Sequence, residues 1–371
     1  WNLPKLVGMT WAVELTGEKV ESLAVLNNTG DTDKYRFYRP QGVAIDNNPE
    51  SDFFGRMYIA YPEDNGVTVH KEGIVVFDPL HKSLKSTSIK PTGVGAFSNG
   101  QYQMHRIAVN PVNNKVYYTK SMTGTAIYEM TPNATNILSD GGTAKNVISG
   151  ITAITNANSL CFDEEGTMYV LANANYSGGY TGKIYKVSNG TATEFTTQSY
   201  DWAAKDNAIV SDGRGGFWVA QHREDFGSED VLSHINSVGV RDFYVDKNTN
   251  ANLLVTAAAT SGKTNASYRG QIAYYQIDTN TGILAFGGGK VVSLFNVSYS
   301  SDGVPTLEKL TKTGTIGTNI DGLAFDYAGN LVVLSASSER FYHYTVPTDN
   351  NVCITPAKST LTINGPGVSV P

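Results

Sequence analysis

Apolar residues along the chain come in short runs. Each run is opened by a polar residue, closed by Asp or Asn, and followed after a turn by a second apolar run. The stretch Asn319-Ile-Asp-Gly-Leu-Ala-Phe-Asp-Tyr-Ala-Gly-Asn-Leu-Val-Val-Leu334 shows the pattern in full, with Gly329 in the turn. Upstream, residues 41–46 lead to 57–60, 105–110 to 115–119, 158–163 to 168–171, 207–212 to 217–220 and 241–246 to 252–256. Two β-branched or aromatic runs joined by an Asx/Gly turn predict a hairpin. A third run follows at 73–78, 126–129, 183–187, 271–277 and 341–344, and a fourth at 192–195. No run carries the spacing of a long amphipathic helix.

A single hairpin of this kind cannot bury its own face, so the copies must pack on one another. Four-stranded antiparallel sheets repeated around an axis predict an all-β chain folded as a six-bladed β-propeller. The wide interval between Asp246 and Asp326 leaves room for a seventh blade. Apolar stretches at 6–13 and 20–26 precede the first copy. One of them, 20–26, is expected to complete the last blade and close the ring. The division expected is therefore 1–27 as closing strands, 28–350 as the propeller, and 351–371 as a tail packed on it or disordered. Within the propeller, 257–270 reads as a long polar loop, and from 282 to 315 the strands are indistinct apart from 290–295.

Composition narrows the function. The net charge of −6 is dispersed with no basic run, which excludes a nucleic-acid footprint. No stretch reaches the roughly 18 uninterrupted apolar residues of a membrane-spanning helix. Of the two cysteines, Cys161 sits in an apolar run and reads as a small hydrophobe. The low charge and the Asn-, Thr- and Tyr-rich composition suggest an exported protein: periplasmic, cell-surface or secreted. The chain opens at Trp1 rather than Met, in keeping with removal of a leader or preceding domain.

Candidate chemistry follows from register. Five positions before each closing Asp or Asn stand Gln41, His105, Asn158, Asn207, Arg241 and Asp321, all polar and each ahead of a mostly apolar run. In a propeller the first strand of each blade lines the central channel, so six such side chains are expected to converge at one channel mouth. The loops on the same face carry Tyr61, Tyr176, His222 and Arg223. Function concentrates on loops held by a rigid scaffold. The constellation suits a small polar molecule or a glycan. Asn158, Asn207 and Asp321 would bond hydroxyls, Arg241 and His105 would take a carboxylate, and Tyr61 and Tyr176 would stack on a sugar face. Each residue alone also reads as an ordinary turn former.

Pro40-Gln-Gly-Val-Ala-Ile-Asp46 and Asn319-Ile-Asp-Gly-Leu-Ala-Phe-Asp326 resemble the repeat core of NHL-type propellers. They are also similar to the senescence-marker/gluconolactonase family, six-bladed propellers that bind a divalent metal in the channel. That resemblance implies metal ligands at Asp321, Asn207 and Asn158, with Gln41 standing where the family has a carboxylate. It makes a divalent ion, Ca²⁺ or Zn²⁺, the implied cofactor and a metal-dependent lactonase-like hydrolase the rival to a binding module. A propeller that docks a partner protein is the third reading. There is no Gly-x-Ser-x-Gly elbow and no His-Glu-x-x-His, and Gly262-Lys-Thr264 lacks the leading glycine of a phosphate loop.

Overall fold

The computed structural model describes residues 14–15, 18–20, 41–61, 73–79, 105–120, 127–133, 137–139, 156–173, 182–200, 202, 207–223, 229–246, 270–288, 290–316, 320–335 and 340–346. Among the described residues, strands β1 (Glu14–Leu15) and β2 (Glu18–Val20) lead into six sheets. The first sheet holds β3 (Val43–Ile45), β4 (Met57–Tyr61) and β5 (Gly73–Phe77). The second holds β6 (His105–Val109), β7 (Val116–Lys120), β8 (Ile127–Asn133) and β9 (Ile137–Ser139). The third holds β10 (Asn156–Phe162), β11 (Met168–Asn173), β12 (Gly182–Ser188) and β13 (Thr191–Glu194). The fourth is built from β14 (Asn207–Ser211), β15 (Phe217–Arg223), β16 (Glu229–Ile235) and β17 (Arg241–Asp246). The fifth comprises β18 (Gln271–Gln276), β19 (Thr281–Gly288), β20 (Val291–Tyr299) and β21 (Pro305–Thr313). The sixth comprises β22 (Ile320–Phe325), β23 (Leu331–Ser335) and β24 (Arg340–Tyr344). Within each sheet these consecutive strands pair antiparallel, and the fold is an all-β propeller.

The second strand of each sheet explains why the chain reads as continuous apolar runs. Successive side chains on a strand point to opposite faces, and a strand buried on both faces is apolar throughout. Tyr58 and Ala60 pack toward the second sheet, whereas Met57 and Ile59 on the same strand pack toward the sixth. Trp218 and Ala220 face the fifth sheet, while Phe217 and Val219 face the third. Leu331 and Val333 meet the fifth sheet, and Val332 and Leu334 meet the first. Each junction between neighbouring sheets thus has its own core. The junction of sixth and first, with Phe77 and Phe341 edge to face at 5.3 Å, closes the ring.

The closing turns stitch these junctions. Asn47 donates to the Phe325 carbonyl at 2.9 Å, Asn48 to Asn114 Oδ1 at 3.0 Å, and Asn110 to the Gly166 carbonyl at 2.9 Å. Asp212, which closes β14, reaches His234 on β16: its Oδ2 lies 2.9 Å from Nε2, and Asp242 Oδ1 lies 2.6 Å from Nδ1. Burial lowers the affinity of this imidazole for its second proton, but hydrogen bonds and charge from Asp212 and Asp242 outweigh it and leave the pKa raised. In the sixth sheet, burial favours the protonated form of Asp326, yet hydrogen bonds from His343 and Asn330 hold its carboxyl below the ordinary value.

Three expectations need correction. Residues 241–246 are not the first strand of a fifth unit. They form β17, the outermost strand of the fourth sheet, because the turn Asn236–Val240 folds them directly back on β16. The fifth sheet instead begins at β18, which the apolar pattern presents as a third strand. Its remaining strands occupy 281–313, where the alternation is blurred by the glycines of β19 and the polar outer face of β21. The second strand expected at 252–256 lies outside the described residues, as does all of 351–371. At the other end β2 pairs antiparallel with β24, and β1 runs parallel to β21. The N-terminal strand that completes the sixth sheet is therefore Glu18–Val20, just ahead of the expected 20–26. Among the described residues, no helix is long and apolar enough to cross a membrane.

Candidate functional site

The six innermost strands, β3, β6, β10, β14, β18 and β22, surround a cavity of about 540 Å³. That volume falls within the usual size of small-molecule pockets. At one end its lining starts at Gly42, Arg106, Ser159, Ala208, Gln271 and Gly322. At the other it reaches the closing turns at Asn48, Pro111 and Glu164 and the strand residues Ser211 and Tyr274. Exposure rises along the strands in the same direction: Ile45, Val109, Phe162, Ser211 and Tyr274 are half-buried. The strand starts are shut away, with Gln41, Arg106, Asn158, Asn207, Gln271 and Asp321 all 6 % exposed or less.

Two of these strand starts are β-bulges. Pairing of β10 with β11 skips from Ala157 to Ser159, and pairing of β22 with β23 skips from Ile320 to Gly322. Asn158 and Asp321 are the extra residues, and such a residue is released from the ladder and re-aimed. Gln41 owes its position to Gly42, whose φ of 79° is disfavoured for any residue with a Cβ. The Gly42 amide donates to the Asp321 carbonyl at 3.0 Å, joining the first and sixth sheets at the level of the site. Gly322 is required by packing, because a Cβ there would meet Leu334 Cδ1 at 2.8 Å.

Arg106 stands one residue past the register position and was not among the expected site residues. From the second sheet its guanidinium reaches across to the fourth and fifth, donating through Nη1 to Gln271 Oε1 and through Nη2 to the carbonyls of Asn207 and Gly270, both at 3.1 Å. Arg106 is thereby a cation spanning the channel at its closed end. A guanidinium only donates, so the Gln271 carboxamide must present its oxygen to Arg106 and leave Nε2 facing away. That Nε2 is buried without a hydrogen-bond partner, and so are both Oδ1 and Nδ2 of Asn158. An arginine inside the apolar run His105-Arg-Ile-Ala-Val109 was the available signal, since charged groups are rarely buried unless they have work to do.

The structure brings Gln41, Asn158, Asn207 and Asp321 to the same end of the channel, as the register predicts. Arg241 does not join them. It lies on the outer strand β17, with its guanidinium 4.7 Å from the Tyr200 ring and 4.5 Å from the Tyr244 ring. Gln271 takes the place expected of it. Tyr61, His105, His222 and Arg223 lie at strand ends on the same side, but their side chains fall outside the described residues, and Tyr176 does so entirely. Cys161, buried in the wall, has a thiol pushed well above its ordinary pKa by burial and nearby carboxylates, which leaves it unreactive.

No protein-family model and no curated protein matches the sequence. Solved structures do resemble the fold. A Thermus thermophilus protein assigned as an oxidoreductase (glucose dehydrogenase) superposes with a TM-score of 0.53 at 12% identity, covering 89% of this chain and 100% of the other. A glucose dehydrogenase superposes at 0.51 with 13% identity, covering 90% and 99%. The chain shares the fold of these structures. At such identities the likeness concerns fold alone. The calcium-binding protein regucalcin of Agrobacterium tumefaciens scores 0.47 at 11% identity, covering 90% and 94%.

A divalent ion at the closed end would need donors of matching charge and number. Asp321 is the one carboxylate there among the described residues, and its companions are the amides of Gln41, Asn158 and Asn207. Ca²⁺ takes six to eight oxygens, several of them anionic, and Zn²⁺ prefers imidazole or thiolate. No group of three His, Cys, Asp or Glu converges among the described residues. Arg106, bonded to the Asn207 carbonyl, adds a positive charge to the same ring. The described donors therefore do not fit a divalent ion. Elemental analysis of purified protein by inductively coupled plasma mass spectrometry is expected to find well under one equivalent of any divalent metal. One full equivalent, lost in Asp321→Ala, would reverse this.

Proposed function

We propose that the protein is a binding module that holds a small polar anion, of the kind represented by a sugar acid, at the ring formed by Gln41, Arg106, Asn158, Asn207, Gln271 and Asp321. The observation that carries this reading is the Asn158 carboxamide. It is 1% exposed, it sits on a bulge that turns it out of the ladder, and both its polar atoms are unpartnered. Leaving such a group dry is costly, so a site of this kind is arranged for a guest with hydroxyls or other paired donors and acceptors. Arg106 takes the carboxylate-binding role expected of Arg241. Low charge and a composition rich in Asn, Thr and Tyr favour a protein that meets its ligand outside the cytoplasm.

Asn158→Leu separates a binding role from a structural one. The substitution removes an unsatisfied buried amide at similar volume, so the melting temperature is expected to hold or rise by a few degrees. Binding of glucuronate, followed by isothermal titration calorimetry, is expected to fall about tenfold or more, the equivalent of roughly 1.4 kcal/mol or more. A lowered melting temperature with unchanged binding would assign Asn158 to the scaffold. The lactonase-like hydrolase draws on Asp321, Asn158 and Asn207 as ligands and depends on the metal that elemental analysis would reveal.

A further inference from the structure

The cavity beneath the ring is a separate compartment. Its lining starts one residue inside Gln41, Asn158, Asn207 and Asp321, and the bridge from Arg106 to Gln271 lies across its inner end. Below that bridge the wall is apolar, carried by Val43, Ile107, Leu160, Ile272 and Leu323. The far end carries acidic side chains: Glu164, which accepts from Ser211 at 3.3 Å, and the buried turn residues Asp46 and Asp163. The sleeve is thus polarised, with a cation and a spare amide donor at the closed end, hydrocarbon between, and carboxylates at the half-buried end.

We propose that this sleeve is a second ligand site for a carboxylate with an apolar body, entering from the closing-turn face and seating its head at Gln271 and Arg106. Gln271 supplies the independent observation: it belongs to the lining, it is 2% exposed, its oxygen is committed to Arg106, and its buried Nε2 has no acceptor. An unpaired donor beside a guanidinium calls for an anionic acceptor. The acidic rim sets the orientation, because the head is repelled there and attracted inward. From Gln271 to Tyr274 the strand rises roughly 10 Å, the length of an extended medium-chain acid. This site shares Arg106 and Gln271 with the ring but uses none of the four residues above the bridge, so changes at those four test the ring without touching the sleeve.

Octanoate is the probe, titrated calorimetrically into the intact protein at several temperatures. Saturable binding with a negative heat-capacity change, the mark of apolar burial, is expected. Octanol and octylamine are expected to bind at least about tenfold more weakly, since each forfeits the charge-assisted head contact. Two variants isolate the site. Ala108→Leu with Ala324→Leu narrows the half-buried wall and is expected to weaken octanoate about tenfold while leaving glucuronate binding unchanged. Gln271→Glu keeps a partner for Arg106, so the fold is retained, but sets a carboxylate where the head would sit and is expected to abolish octanoate binding. Absence of octanoate binding to the wild type, octylamine binding as well as octanoate, or octanoate binding unaffected by Gln271→Glu would each overturn the proposal. Loss of glucuronate binding alone would count against the ring and leave the sleeve standing.

Discussion

Replacing Arg106 with leucine is expected to destabilise the protein by about 3–5 kcal/mol, because buried neutral acceptors on two other sheets lose their donor. The side chain is 6% exposed and satisfies three acceptors from two other sheets: Gln271 Oε1 and the carbonyls of Asn207 and Gly270. Leucine fills part of the space but withdraws this donor from all three acceptors, at about 1–3 kcal/mol for each that finds no other donor. Arg106→Lys keeps the charge but loses the planar fork that serves several acceptors at once, so an intermediate loss is expected. Urea denaturation of the three proteins measures the series. A leucine variant as stable as wild type would show that the bridge holds nothing together.

The second large effect concerns His234. Its ring is 1% exposed, lies between Asp212 and Asp242, and packs with its centroid 4.7 Å from that of Trp218. With carboxylates on both nitrogens the imidazolium form donates twice, which is why its pKa is raised despite burial. A raised folded pKa means that stabilisation is complete below the unfolded value of about 6.5 and is lost as pH climbs through the folded value. Stability is thus expected to decline as pH rises above about 6.5. At low pH the opposite case applies to Asp326, whose lowered pKa contributes stability above its unfolded value that disappears as pH falls through the folded one. His234→Gln retains a polar group between the two carboxylates but cannot protonate. It is expected to cost about 3 kcal/mol at pH 6, in the range for breaking a buried charge pair, and to flatten the alkaline decline. Denaturation midpoints from pH 5 to 9 give the test. A wild-type profile level from pH 6 to 9 would contradict it.

Much of this architecture was legible in the sequence because a propeller strand buried on both faces must be apolar, and the polar residue that opens it stands out. Gln41, Asn158, Asn207 and Asp321 were found that way. Arg241 was misplaced because Arg241-Asp-Phe-Tyr-Val-Asp246 imitates a first strand letter for letter. The corrective signal was the tight turn before it, Asn236-Ser-Val-Gly239, which forces an immediate return onto β16. Gln271 was overlooked for the converse reason, since its strand follows a long polar segment and resembles an inner and an outer strand equally well. Arg106 lay one residue off the register. Which acceptors a long side chain finds across a channel depends on strands distant in the chain, and no local pattern records that. The bulges at Asn158 and Asp321 were equally invisible, because an extra residue in a strand shows only when its partner is known.

The central claim is that the closed end of the channel is a cation-spanned ring for an anion rather than a metal centre. Calorimetric titration of EDTA-treated wild-type protein with glucuronate and, separately, with glucose tests it most directly. The account predicts that glucuronate binds without added metal and about tenfold or more tighter than glucose, the value of one charge-assisted contact. Equal affinity for the two sugars, or glucuronate binding that appears only when a divalent ion is restored, would contradict it.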